Sequence, residues 1–183
     1  MAAKPSWCEF KRLLSAGLPE LGRGPRAGVL SQAALSAALD PLLRAAPLRA
    51  ARGELIRGLV LLWHDHFDAA HEIAQAIENP DGSFLHGSLH RREPDCGNAA
   101  YWFRRVGNHA SFPELARRAG ERLDASGGSS LKTELIPGGH WDPFAFINLC
   151  ERAAAKPPAD ARAQLLREIQ SLESEVLIEH LLA

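Results

Sequence analysis

Apolar residues recur every three or four positions along most of the chain, and β-branched residues are sparse, so the pattern predicts helices nearly throughout. Residues 6–16 read as a short helix ending at Gly17. Ser31 is a candidate N-cap for the next, and Asp40-Pro41 restarts the helix, with aspartate capping and proline in the first turn. Residues 52–66 and 68–78 form one long helix or two short ones. Asn79-Pro80-Asp81-Gly82 reads as a turn, followed by a helix over 83–92 that Pro94 closes. Asp95 can cap a helix over 97–107. Ser111-Phe112-Pro113-Glu114 has the form of a capping box and opens a helix to about Asp124. Residues 125–141 have no sustained period and read as an irregular loop, a candidate lid or binding loop at the mouth of a pocket. Asp142-Pro143 opens another helix. The last helix, over 160–180, sets Leu165, Ile169, Leu172 and Val176 on one core-facing stripe. The expected fold is all-α: one domain, a layered array of about seven to nine antiparallel helices, repeat-like in the middle.

Composition narrows the function classes without choosing one. A chain of 183 residues can bury a core without disulfides, and 46% hydrophobic with 23% charged residues is ordinary for a globular protein. A formal charge of −1 gives no global drive toward nucleic acid or membrane. No stretch reaches the roughly 18 apolar residues of a spanning helix. The N-terminus carries Lys11 and Arg12 where a signal peptide needs an apolar run. Cys8, Cys96 and Cys150 form no CxxC pair and read as reduced thiols, so a cytoplasmic protein is expected.

The chemistry concentrates in residues 64–98, which hold five of the eight histidines among several carboxylates. At about 100° per residue, positions i, i+4 and i+7 share one stripe of a helix. His64, Asp68, His71 and Gln75 have that spacing on one helix, and His86, His90 and Glu93 on the next. Facing each other, the two stripes offer nitrogen and oxygen ligands for Zn²⁺, Fe²⁺ or Mn²⁺, with Asp68, His71, His86 and His90 as the candidate set. Leu85 and Leu89 flank His86 and His90, which favours turning those rings inward. If the first helix breaks near His66, His64 leaves the stripe, and His66 itself reads as a satisfied core or turn histidine. Glu72, Glu93 and His90 are candidate acid–base groups. Gln75, Arg91, Asn98, Trp102 and Arg105 are candidate contacts to a small polar or anionic ligand. The bland reading of the same residues is the wet face of amphipathic helices, or hydrogen bonds between helices.

Other signatures are missing. No GxSxG elbow, GxGxxG or P-loop sequence occurs. Cys96 lies beside Asp95, which disfavours a reactive thiolate. Gly138-Gly139-His140-Trp141 reads as a loop ahead of the Asp142 cap.

The strings HDHFDAAHEIAQ, HGSLHRREPD and NAAYWFRRVGNH resemble a family of bacterial and fungal proteins over about residues 60–110, with a fainter likeness at WDPFAFINLCE and in the final helix. The resemblance implies no activity, because the family has none assigned. A shallower echo, Asp68-Ala69-Ala70-His71-Glu72-Ile73 against Gly97-Asn98-Ala99-Ala100-Tyr101-Trp102, is similar to the second helix of tetratricopeptide or Sel1-like repeats and implies antiparallel helix pairs with an interaction groove.

Two functions remain open on the sequence. In one, a His/carboxylate pocket binds a small polar ligand and a divalent metal and supports hydrolytic or acid–base chemistry. Asp68, His71, His86 and His90 would then ligate, Glu93 or Glu72 would act as base, and Arg91 or Arg105 would hold an anionic group. In the other, the chain is a non-catalytic interaction module and these residues knit its helices together.

Overall fold

The helical pattern is realised in ten α-helices among the residues that the computed structural model describes, 5–24, 26–157 and 159–183. In chain order they are α1 (Trp7–Arg12), α2 (Gln32–Ala45), α3 (Ala50–Trp63), α4 (Phe67–Gln75), α5 (Pro80–Arg92), α6 (Cys96–Val106), α7 (Phe112–Ala125), α8 (Ser129–Leu135), α9 (Pro143–Ala154) and α10 (Ala161–Leu182). The fold is all-α, with no strand among the described residues.

Most boundaries follow the capping chemistry of the sequence. Ser31, Asp95, Asp142 and Asp160 each accept a backbone N–H at the start of α2, α6, α9 and α10. Several boundaries differ from expectation. Asp40-Pro41 does not restart a helix: α2 runs through Pro41, and Asp40 pairs with Arg57 of α3 at 2.8 Å. Asn79-Pro80 is a helix start rather than a turn, because Asn79 Oδ1 accepts the Gly82 N–H at 2.8 Å and proline fits the first helical position. The 125–141 stretch is not a loop; it holds α8 and a 3-10 turn, Pro137–Gly139. Ser111 caps no helix with its side chain, and Glu114 is taken up by Arg117 and Arg118.

The long helix expected over 52–78 breaks after Trp63. Asp65 has φ +65°, a left-handed conformation that aspartate tolerates better than most residues. Two arginines hold it there: Arg92 Nη2 lies 2.6 Å from Oδ1 and Arg26 Nε 3.2 Å from Oδ2. The same break turns His64 into a clasp for the N-terminal segment. Its Nε2 donates to the Leu13 carbonyl at 2.7 Å, and its Nδ1 accepts the Leu30 N–H at 3.0 Å. His66 Nε2 adds a bond to the Leu30 carbonyl at 2.8 Å. Burial holds the His64 pKa below its ordinary value. The unfolded chain therefore takes up the proton first, and His64 stabilises the fold above about pH 6.5, a contribution lost as pH falls below that value. Protection of the Leu30 amide, taken relative to its intrinsic exchange rate at each pH, is expected to fall between pH 7 and pH 5 more than protection in α5; an equal fall would contradict the clasp.

The axis of the structure is α5. All of its residues from Gly82 to Arg92 are buried, and it packs against α3, α4, α6 and α9. Glycines permit this crowding. A methyl group on Gly58 of α3 would lie 2.6 Å from Leu85 Cδ2, and one on Gly87 would lie 2.8 Å from the Phe103 ring of α6. Gly87→Ala should therefore cost about 1–3 kcal/mol, despite alanine's better helix propensity. A denaturant melt checks this, and an unchanged midpoint would mean that α6 yields.

A helix buried on every side is normally apolar throughout. This one carries Ser83, His86, Ser88, His90, Arg91 and Arg92 in its buried stretch, and Asp81 in its first turn. Each buried polar group needs a partner, and those partners define the chemistry of the molecule.

Candidate metal centre

The two histidine stripes meet. His71 of α4 and His86 and His90 of α5 bring one ring nitrogen each to within 4.8 Å of one another. His86 Nε2 and His71 Nε2 are 3.0 Å apart. His86 and His90, one turn apart, stack at 4.8 Å between centroids, while the His71 ring stands edge-on to both. His86 and His90 are 3% and 6% exposed, and His71 is half-buried.

Second contacts fix the rings. His90 Nδ1 lies 3.0 Å from Glu93 Oε2, a charge contact outside hydrogen-bond geometry. Glu93 in turn pairs with Arg23 of the N-terminal segment. The Trp102 ring of α6 stacks on His86, 3.9 Å between centroids and 15° between planes, and the Arg105 guanidinium lies over Trp102 at 5.3 Å. Burial, then the neighbouring His90 and His71, push the His86 pKa down to about 4, and burial lowers that of His90 as well. Both rings are neutral near pH 7, the state in which imidazole binds metal.

One of the three contacts has the spacing of ligands that share an ion. Two ligands bonded to a common ion at about 2.0–2.1 Å lie about 2.9–3.4 Å apart, whether the angle between them is right or tetrahedral. The His71–His86 separation falls in that range. As a hydrogen-bond network the trio is poor. Among the described residues one bond joins the three rings, and His86 Nδ1 is buried without a partner.

Several expected site residues stand elsewhere. Asp68 is not in the ligand group: with α4 starting at Phe67, it lies in the first turn, exposed, where a carboxylate complements the helix dipole. His64 has left the stripe for its clasp. Arg91 cannot hold a substrate, because it is buried in an ion pair with Glu173 of α10 and lies over the Phe146 ring. Glu72 and Gln75 are exposed on α4, and Asn98 is half-buried near the start of α6. Arg105 is exposed at the Trp102 edge of the trio. The 125–141 segment does not form the mouth of this site. It borders a separate cavity of about 550 Å³, lined in part by Phe103, Phe112, His140, Trp141 and Phe144. Cys96 is a poor nucleophile, its pKa raised by burial and Glu151.

A second group was not legible in the sequence. Asp81, His109 and His180 also converge within 4.8 Å. They come from the start of α5, the link after α6 and the last turn of α10. Residues so far apart leave no local spacing to read.

No helix among the described residues is long and apolar enough to cross a membrane. The chain matches no family model, no curated protein and no solved structure in the comparisons made.

Proposed function

We propose that His71, His86 and His90 bind a divalent transition metal, and that the metal centre acts on a small anionic ligand. The observation that carries this reading is the convergence of three imidazoles, with the His71 and His86 nitrogens 3.0 Å apart and no carboxylate between them. Neutral tautomers can share one N–H across the His71–His86 contact, and the burial of His86 and His90 keeps both rings uncharged, so ring lone pairs stay available to a cation. Glu93 supports the same reading as an outer partner of His90, the carboxylate–histidine arrangement that orients ligand rings.

Three neutral nitrogen donors suit Zn²⁺ best and Fe²⁺ or Co²⁺ well. Such an ion supplies a Lewis-acid centre with an open coordination position, the requirement for hydrolysis or a related acid–base step. The half-buried side of the trio, between His71 and Trp102, is its approach from solvent. Arg105 stands there as the cation for an anionic group, and Glu72, the residue after His71, is an exposed carboxylate on the same helix.

The test is a titration of tag-free protein with Co²⁺, followed by the visible absorption of the bound ion. The expected result is an intense low-symmetry band that Zn²⁺ displaces and that His86→Gln abolishes. Glu93→Gln should weaken binding by about 10- to 100-fold without removing the band. A spectrum no different from Co²⁺ in buffer would sink the proposal in favour of a purely structural trio.

A further inference from the structure

We infer that Asp81, His109 and His180 form a second divalent-cation site, separate from the three-histidine centre. Asp81 Oδ1 is 2.8 Å from His109 Nε2 and 3.2 Å from His180 Nε2, so two imidazoles present the same ring nitrogen to one carboxylate oxygen. Two histidines and one carboxylate are a donor set for Fe²⁺, Mn²⁺ or Zn²⁺ that leaves coordination positions open. The three residues come from different parts of the chain, so their meeting is a product of the tertiary fold and not of helical spacing.

The site is built rather than accidental in its surroundings. The His109 side chain is 3% exposed and wedged edge-on to Phe84, 5.2 Å and 85°, and against Phe112. Its Nδ1 lies 2.7 Å from Ser111 Oγ. The serine hydroxyl can rotate to donate to Nδ1 while Nε2–H faces Asp81. The Ser111 backbone N–H donates to Nδ1 as well, at 3.2 Å, so the tautomer in place has Nε2–H facing Asp81; cation binding at Nε2 shifts that proton to Nδ1, where the hydroxyl can accept it at the cost of the backbone bond. This is why Ser111 caps α7 without using its side chain. Asp81 and His180 are 19% and 26% exposed, which gives an ion a path from solvent.

This site is distinct from the first. Asp81 and His86 are five residues apart on α5, which turns them about 140° from each other around the helix. The donor sets also differ: one carboxylate replaces an imidazole, which favours harder ions here than at the nitrogen-only centre. Arg52 lies close enough to act electrostatically on both Asp81 and His180, and its charge opposes a cation. The second site should therefore be the weaker of the two. The competing role for these residues is a hydrogen-bond clasp that ties the end of α10 to α5 with no ion.

Two measurements separate these roles. The full chain, without an affinity tag and carrying His86→Gln and His90→Gln, is titrated with Mn²⁺ and with Zn²⁺. One residual equivalent of bound ion is expected, and Asp81→Asn in that background should remove it. In the unaltered protein, long-range ¹H–¹⁵N spectra of the histidine rings are followed as Zn²⁺ is added past one equivalent. The His109 and His180 nitrogens are expected to move after those of His71, His86 and His90. His109 and His180 signals that stay fixed at millimolar Zn²⁺ would overturn the inference, as would a residual equivalent unaffected by Asp81→Asn. The two centres fail independently: a silent first centre with responsive His109 and His180 would reject the proposed function alone.

Discussion

Replacing His86 by glutamine is expected to abolish tight metal binding while leaving the metal-free protein folded. His86 is the hub of the trio: its Nε2 meets His71, its ring stacks on His90, and Trp102 covers its outer face. Glutamine keeps the volume and a polar end but offers an amide, a poor ligand for Zn²⁺. The loss should exceed the about 10- to 100-fold that removal of an outer-shell partner costs. In the metal-free protein, His86 contributes one imidazole–imidazole hydrogen bond and one aromatic contact, together on the order of 1–3 kcal/mol. The sharper sign is in melting curves. Excess Zn²⁺ should raise the Tm of the unaltered protein, because an ion bound only to the folded state stabilises it, and that rise should shrink in His86→Gln. A variant that melts far lower with or without metal, and shows no loss of binding, would mean that the trio serves structure alone.

The second large effect is on stability. Arg91 and Glu173 are 1% and 2% exposed and form a two-contact pair between α5 and α10, with Nη1 3.0 Å from Oε1 and Nη2 bonded to Oε2. Ser88 Oγ also approaches the carboxylate, and the Phe146 ring underlies the guanidinium. Removing one partner strands a charge that nothing nearby can neutralise. Glu173→Gln or Arg91→Met should each cost about 3–5 kcal/mol in denaturant melts. The double variant Arg91→Met with Glu173→Leu should recover most of that loss, since desolvation of both charges offsets much of what their attraction contributes. Additive losses in the double variant would show that the pair is worth more than its packing replacement. Because α10 also carries His180, single variants at this pair are expected to loosen the second cluster before the three-histidine trio.

What the sequence makes legible here is what is local. Periodicity finds α3 to α7 and α10, because each has an apolar stripe or a cap whose chemistry lies within four residues. His86 and His90 are recognisable as inward-facing from Leu85 and Leu89 beside them, and His71 from its place on the preceding helix. Asp68 misleads because spacing alone does not place a side chain: it shares α4 with His71 but lies exposed in the first turn of that helix. Arg91 misleads because its partner, Glu173, lies on the final helix, and no spacing connects the two. The same holds for Asp81, His109 and His180. The N-terminal segment is the extreme case. Side chains of α5 and α10 reach its carbonyls, Arg92 and Gln170 each donating to the Glu20 carbonyl at 3.0 Å. Such bonds have no hydrophobic period to announce them. Short helices such as α8 are missed for a related reason: seven residues give barely two turns of pattern.

The most direct measurement is of the histidine rings themselves. Long-range ¹H–¹⁵N spectra, recorded near pH 7 as a first equivalent of Zn²⁺ is added, report each ring nitrogen separately. The Nε2 signals of His71, His86 and His90 are expected to shift together and to saturate at one equivalent, with His64 and His66 unmoved in their backbone bonds. If all three trio signals stay in place while Zn²⁺ remains free in solution, the centre does not exist as described.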